Sequence, residues 1–78
     1  MSINYKDKAI EEIRYKIDMI EIARRKVEIN SRYERACACI WAYRDIDLIT
    51  FELAISFIEM AVIAQVNALS KYSELKRK

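Results

Sequence analysis

Residues 51–69 read FELAISFIEMAVIAQVNAL, and this stretch decides the fold. At about 100° per residue, Glu52, Ser56, Glu59, Asn67 and Ser70 fall on one narrow helical stripe. Nearly every other position through Leu69 is apolar. Gln65 breaks the apolar surface and Ile63 breaks the polar stripe. An apolar arc wider than about two-thirds of the circumference is too broad for a single packing partner, because an ordinary surface helix buries roughly a 100° stripe.

The stretch is also about long enough to cross a bilayer, and Lys71, Lys76, Arg77 and Lys78 follow it. Against a span, Glu52, Glu59, Gln65 and Asn67 lie inside it, and an acidic residue near a helix centre costs roughly 2.5–3.5 kcal/mol on insertion. Alignment of most polar groups on one stripe fits the central helix of a water-soluble bundle. We therefore read a helix over about 48–76 in a water-soluble bundle, with a single membrane span as a remote alternative.

Upstream, Ile3, Ile10, Ile13, Ile17, Ile20 and Val27 recur at alternating three- and four-residue steps, the seam of a coiled coil. Arg24 interrupts the seam and reads as a register-setting or snorkelling residue. A second row, Tyr15, Ile22 and Ile29, repeats every seven residues on nearly the opposite side. Glu12 with Lys16, Glu21 with Arg25, and Glu28 with Arg32 are i,i+4 pairs in the favourable order. These features predict one long helix over about 3–29.

Its end is weakly marked. Ser31-Arg32-Tyr33-Glu34 has capping-box spacing, which would start a helix at about 32 after a break at 30–31. The Glu28–Arg32 pair argues for continuity through the same point. Residues 36–43 are apolar throughout, so a helix over about 32–43 is buried on more than one side. Arg44-Asp45-Ile46-Asp47 is the clearer turn, with Asp47 placed to cap a helix from Leu48.

The ambiguity follows from composition. The 78 residues contain no glycine, no proline and no histidine. Average usage would supply roughly five glycines and four prolines, the residues that tight turns and left-handed helix caps favour. β-rich folds and glycine phosphate loops are thereby disfavoured. Absence of histidine removes the commonest general base and metal ligand. The chain is 54% hydrophobic and 33% charged, a composition that folds rather than stays disordered. At this size a core needs reinforcement. Cys37 and Cys39 cannot bridge one another within a helix, since they point about 200° apart. Two thiolates also fall short of a zinc site. They read as buried, reduced thiols, which places the protein in the cytoplasm. Association is the remaining source of reinforcement. The expectation is an all-α fold, a long-helix hairpin or three-helix chain, forming one domain and assembling as a dimeric bundle.

No catalytic, cofactor or metal residues are assigned. The hydroxyls lack a histidine, and Glu52 and Glu59 are roughly 10 Å apart along the helix. Ile13-Arg14-Tyr15-Lys16-Ile17-Asp18-Met19-Ile20-Glu21 resembles the opening pattern of the all-helical chorismate mutases, and Arg44-Asp45-Ile46-Asp47 resembles a segment before one of their later helices. The resemblance implies an intertwined helical dimer, with Arg14 at the first-helix arginine. Leu48 and Ile49 stand where that pattern has arginine and glutamate. A dianionic substrate needs several convergent cations, and only Arg14 is matched.

Charge is uneven. Residues 1–35 carry +2, residues 36–70 carry −3 and residues 71–78 carry +3, for a total of +2. Arg32, Arg35, Lys76, Arg77 and Lys78 are the candidates for nucleic-acid contact, although this total is small for a phosphate footprint. The preferred reading is a non-enzymatic adaptor, inhibitor or regulator that binds itself and another protein, with a nucleic-acid-binding dimer as the alternative. Phe51, Ile55, Phe57, Ile58, Val62 and Ile63 are assigned to self-association, and Tyr15, Ile22 and Ile29 to a second interface. No small-molecule substrate is expected. Abundant isoleucine in so short a chain fits a phage, virus or mobile element with an AT-rich genome.

Overall fold

The computed structural model describes residues 4–76. Among them are three helices and no strand: α1 Tyr5–Glu21, α2 Lys26–Asp45 and α3 Phe51–Lys76. Each helix packs against the other two, within an envelope of 52 × 24 × 15 Å.

The first break lies at residues 22–25, not at 30–31, and α2 runs without interruption through both of those positions. The reason is geometric. Ile20 and Ile29 are nine residues apart, so a continuous helix would set them on opposite faces. Folding back between them brings both into one core, where each is fully buried. The helix hydrogen bonds forgone at the bend are worth roughly 0.5–1.5 kcal/mol each. Burying Ile29 and Ile40 contributes about 1.5–3 kcal/mol apiece before the rest of the α2 face is added. Burial therefore wins over helix continuity without a breaking residue.

The bend corrects several expectations. Ile13, Ile17 and Ile20 form the buried seam of α1, but Val27, assigned to the same seam, is 80% exposed beyond the bend. Ile3 lies outside the described residues. Arg24 sits in the bend and is exposed. Ser31 is an interior residue of α2 and caps nothing. The pairs within single helices form, Glu12–Lys16 at 3.9 Å and Glu28–Arg32 at 2.9 Å. Among the described residues no ion pair joins Glu21 to Arg25, which the bend separates. Arg25 occupies the N-cap of α2 in extended geometry with no side-chain cap bond.

The second turn solves the absence of glycine differently. Asp47 adopts φ 61°, the left-handed region. Its N–H donates to the Arg44 carbonyl at 3.1 Å, and the Leu48 N–H donates to the Tyr43 carbonyl at 3.0 Å. This pair of bonds is the Schellman closure, which usually places glycine where Asp47 stands. Asp47 is therefore the C-terminal stop of α2, not the cap of α3. Thr50 is that cap: its Oγ1 accepts from the Leu53 N–H at 3.1 Å, and its carbonyl accepts from the Ala54 N–H at 2.9 Å.

The core joins Ile13, Ile17 and Ile20 of α1 with Ile29, Ala36 and Ile40 of α2 and with Ala54, Phe57, Ala61, Ala64 and Ala68 of α3. The alanines let α3 approach closely, and Phe57 fills the space between them. One helix contributes small residues where the others contribute large ones.

Candidate interaction surface

α3 buries only one sector. Phe57, assigned to self-association, is 2% exposed in the chain's own core, because it shares a face with the buried alanines. Phe51, Ile55, Ile58 and Val62 do come together along one flank of α3, joined by Val66 and Leu69 at helical spacing, with Ile58 and Leu69 also packed against the core. Phe51 and Val66 are each 54% exposed and Val62 is 39% exposed, while Ile55, Ile58 and Leu69 are half-buried. Ile63 is exposed but lies about 100° around the helix from Val62. It belongs to a different sector, next to the solvent-facing Glu52 and Glu59.

Two contacts extend and border this row. Trp41 of α2 lies against Phe51 with ring centroids 6.3 Å apart and planes inclined by 39°, lengthening the apolar surface at one end. On the inner border, the Gln65 side-chain amide donates to Asn30 Oδ1 at 3.2 Å. The residue that interrupted the apolar surface in the sequence thus bonds across the α2–α3 junction. Trp41, Val66 and Leu69 are absent from the surface read from sequence. Val66 carries the signal in its spacing of four from Val62, whereas Trp41 is brought in only by the turn at 46–50.

By length and composition, Phe51–Ser73 passes as a membrane-crossing helix, and little of its most apolar window is buried.

The second row divides at the bend. Ile29 is fully buried, whereas Tyr15 and Ile22 remain 63% and 65% exposed at different places. Tyr15 borders a shallow groove of about 230 Å³ between α1 and α2, together with Lys16, Met19, Arg32 and Arg35. Ile22 borders a cavity of about 630 Å³ at the bend, where Arg24 faces Lys71 and Tyr72 of α3. The three residues therefore do not make one interface.

The cationic candidates are likewise dispersed. Arg32 is half-buried and committed, donating to the Met19 carbonyl at 2.7 Å and to Glu28 Oε1 at 2.9 Å. Arg35 is exposed on the same groove. Arg77 and Lys78 lie outside the described residues, as does the side chain of Lys76. Arg14 is exposed on α1.

The cysteines are half-buried and free, not fully buried as expected. Burial, reinforced by the Glu12 carboxylate, pushes the Cys39 thiol up from its ordinary value. The Tyr33 phenol is raised by its hydrogen bond with Cys37. Tyr43 donates its hydroxyl to Glu12, and this bond lifts the phenol to about 12. The last of these ties α2 to α1 near the end opposite the bend.

No known protein family, curated protein or solved structure matches the chain.

Proposed function

We propose that the protein is a non-enzymatic helical interaction module that acts as a homo-oligomer and binds a macromolecular partner through apolar helix surface. The observation that supports this reading is an apolar row along one flank of α3, in which Phe51, Val62 and Val66 are exposed and Ile55 and Ile58 half-buried. Soluble monomers rarely keep a contiguous apolar patch of this kind without a use for it.

Magnitude sets the form of the test. Burying what remains exposed of these side chains contributes on the order of 4 kcal/mol per chain, or about 8 kcal/mol for two. Association costs roughly 4–15 kcal/mol in lost freedom. The assembly is therefore expected to depend on concentration. Light scattering over a dilution series should give a particle mass rising to a multiple of 9.3 kDa. A mass fixed at one chain up to hundreds of micromolar removes the homo-oligomer.

The same exposed helix favours a second reading, in which α3 contacts lipid. Glu52 and Glu59 lie on its most outward line, and each costs roughly 2.5–3.5 kcal/mol near a bilayer centre. That cost ranks lipid contact below protein contact.

A further inference from the structure

We infer that the occupant of the apolar α3 flank is a second copy of this chain, seated antiparallel on α3 with a twofold axis passing at Val62. The inference rests on the interaction-module reading and supplies its geometry and its partner.

The row is its own complement when reversed. Rotation about Val62 sets Ile55 opposite Leu69 of the other copy, Ile58 opposite Val66, and Val62 opposite itself. Each of these positions is apolar and at least partly exposed. None carries a charge, so no ion is desolvated along the seam. An isologous contact demands a surface complementary to itself under a twofold rotation, and these five residues satisfy that demand.

Charge then selects the direction. The stretch from the end of α2 into α3, residues 44–52, sets Arg44 against Asp45, Asp47 and Glu52, for −2. Near the other end of α3, Lys71 is exposed, and no anion is exposed among residues 60–73. Antiparallel seating brings the Glu52 end of each copy beside the Lys71 end of the other. Parallel seating would place acid beside acid and base beside base, and like charges so juxtaposed disfavour a pairing. Helix macrodipoles also oppose a parallel arrangement.

Extent bears on the contact as well. From Phe51 to Leu69 the seam is about 27 Å long by helix rise. A single helix pair of that length falls short of the roughly 800 Å² per partner of a standard interface. Antiparallel seating lays the Trp41–Phe51 pair of each copy over the Leu69 end of the other, so both ends of the seam gain aromatic area.

The test is a distance between spin labels. A cysteine is introduced by Ser70→Cys, at an exposed site off the seam, in a chain carrying Cys37→Ala and Cys39→Ala, and helicity is checked by circular dichroism. Ser70 lies eight residues from the axis, so antiparallel seating sets the two labels about 24 Å apart or more along the helices. Parallel seating holds them within about 20 Å, since packed helix axes lie roughly 8–10 Å apart. A long distance in a particle of two chains supports the arrangement. A short distance in such a particle overturns the antiparallel seating while leaving the homo-oligomer standing. A one-chain mass without dipolar coupling overturns both. Flotation of a one-chain species with phosphatidylcholine vesicles overturns the inference in favour of lipid.

Discussion

The guanidinium of Arg32 on α2 donates to the main-chain carbonyl of Met19, in the last turn of α1, at 2.7 Å. Carbonyls in a helix's last turn lack intrahelical donors, and here a side chain thirteen residues later supplies one. Glu28 holds the same guanidinium at 2.9 Å. The three groups lock the α1–α2 hairpin that no glycine or proline specifies.

Removing that lock should be costly for a surface-proximal residue. Hydrogen bonds involving a charged partner contribute about 1.5–3 kcal/mol, and Arg32→Met should lower the urea midpoint by a corresponding amount with the slope unchanged. Arg32→Lys should recover only part of the loss, because a single ammonium lacks the fork that reaches both partners. Equal stability of wild type and Arg32→Met would show that the lock is dispensable.

Asp47 predicts a gain. A non-glycine residue in the left-handed region costs about 1–2 kcal/mol, less for aspartate, and glycine gives back roughly 0.5–1 kcal/mol through its freer unfolded chain. Asp47→Gly should therefore stabilise by up to about 1 kcal/mol in urea denaturation. A loss of stability would mean that the carboxylate has a compensating role in the turn.

Arg25 predicts another gain. It places a cation at the positive end of α2 with no cap bond. Arg25→Asp supplies both an acceptor and the favourable charge, for about 1 kcal/mol. The thermal midpoint should rise, and more at low salt than at high salt.

Tyr43 gives a pH signature. Its phenol is held at about 12 by the Glu12 carboxylate, above the ordinary value of about 10 in the unfolded chain. A raised folded-state value means the stabilisation is complete below about pH 10 and is lost as pH climbs through about 12. Tyr43→Phe should remove that component, so the stability difference between the two proteins should shrink over this window. Phenolate absorbance should show one fewer late-titrating tyrosine.

Much of the architecture is legible in the residues. The breadth of the apolar arc over 51–69 announces a helix with more than one neighbour, and the Glu12–Lys16 and Glu28–Arg32 spacings announce pairs that form. The bend at 22–25 is harder to see, because its cause is long-range: Ile20 and Ile29 must reach one core. The clue lies in Ile29 alone: it falls opposite the main seam and is fully buried, while Tyr15 and Ile22 of the same row stay exposed. Read as a second interface, the same row conceals the fold. Phe57 misleads for a related reason. Its large apolar side chain suggests a surface anchor, yet it shares its sector with Ala54, Ala61, Ala64 and Ala68, the small residues that mark close approach.

Val62 and Ile63 are adjacent in sequence, both exposed, and on different sectors of α3, so together they test the central claim. Glutamate at either site should leave the helical content intact, since neither side chain belongs to the core. Light scattering at a concentration where wild type forms a particle of two chains should find Val62→Glu at one chain, 9.3 kDa for the unmodified sequence, with Ile63→Glu still at two. A two-chain mass for Val62→Glu, or equal dissociation by both substitutions, would contradict the assignment of this row as the contact surface.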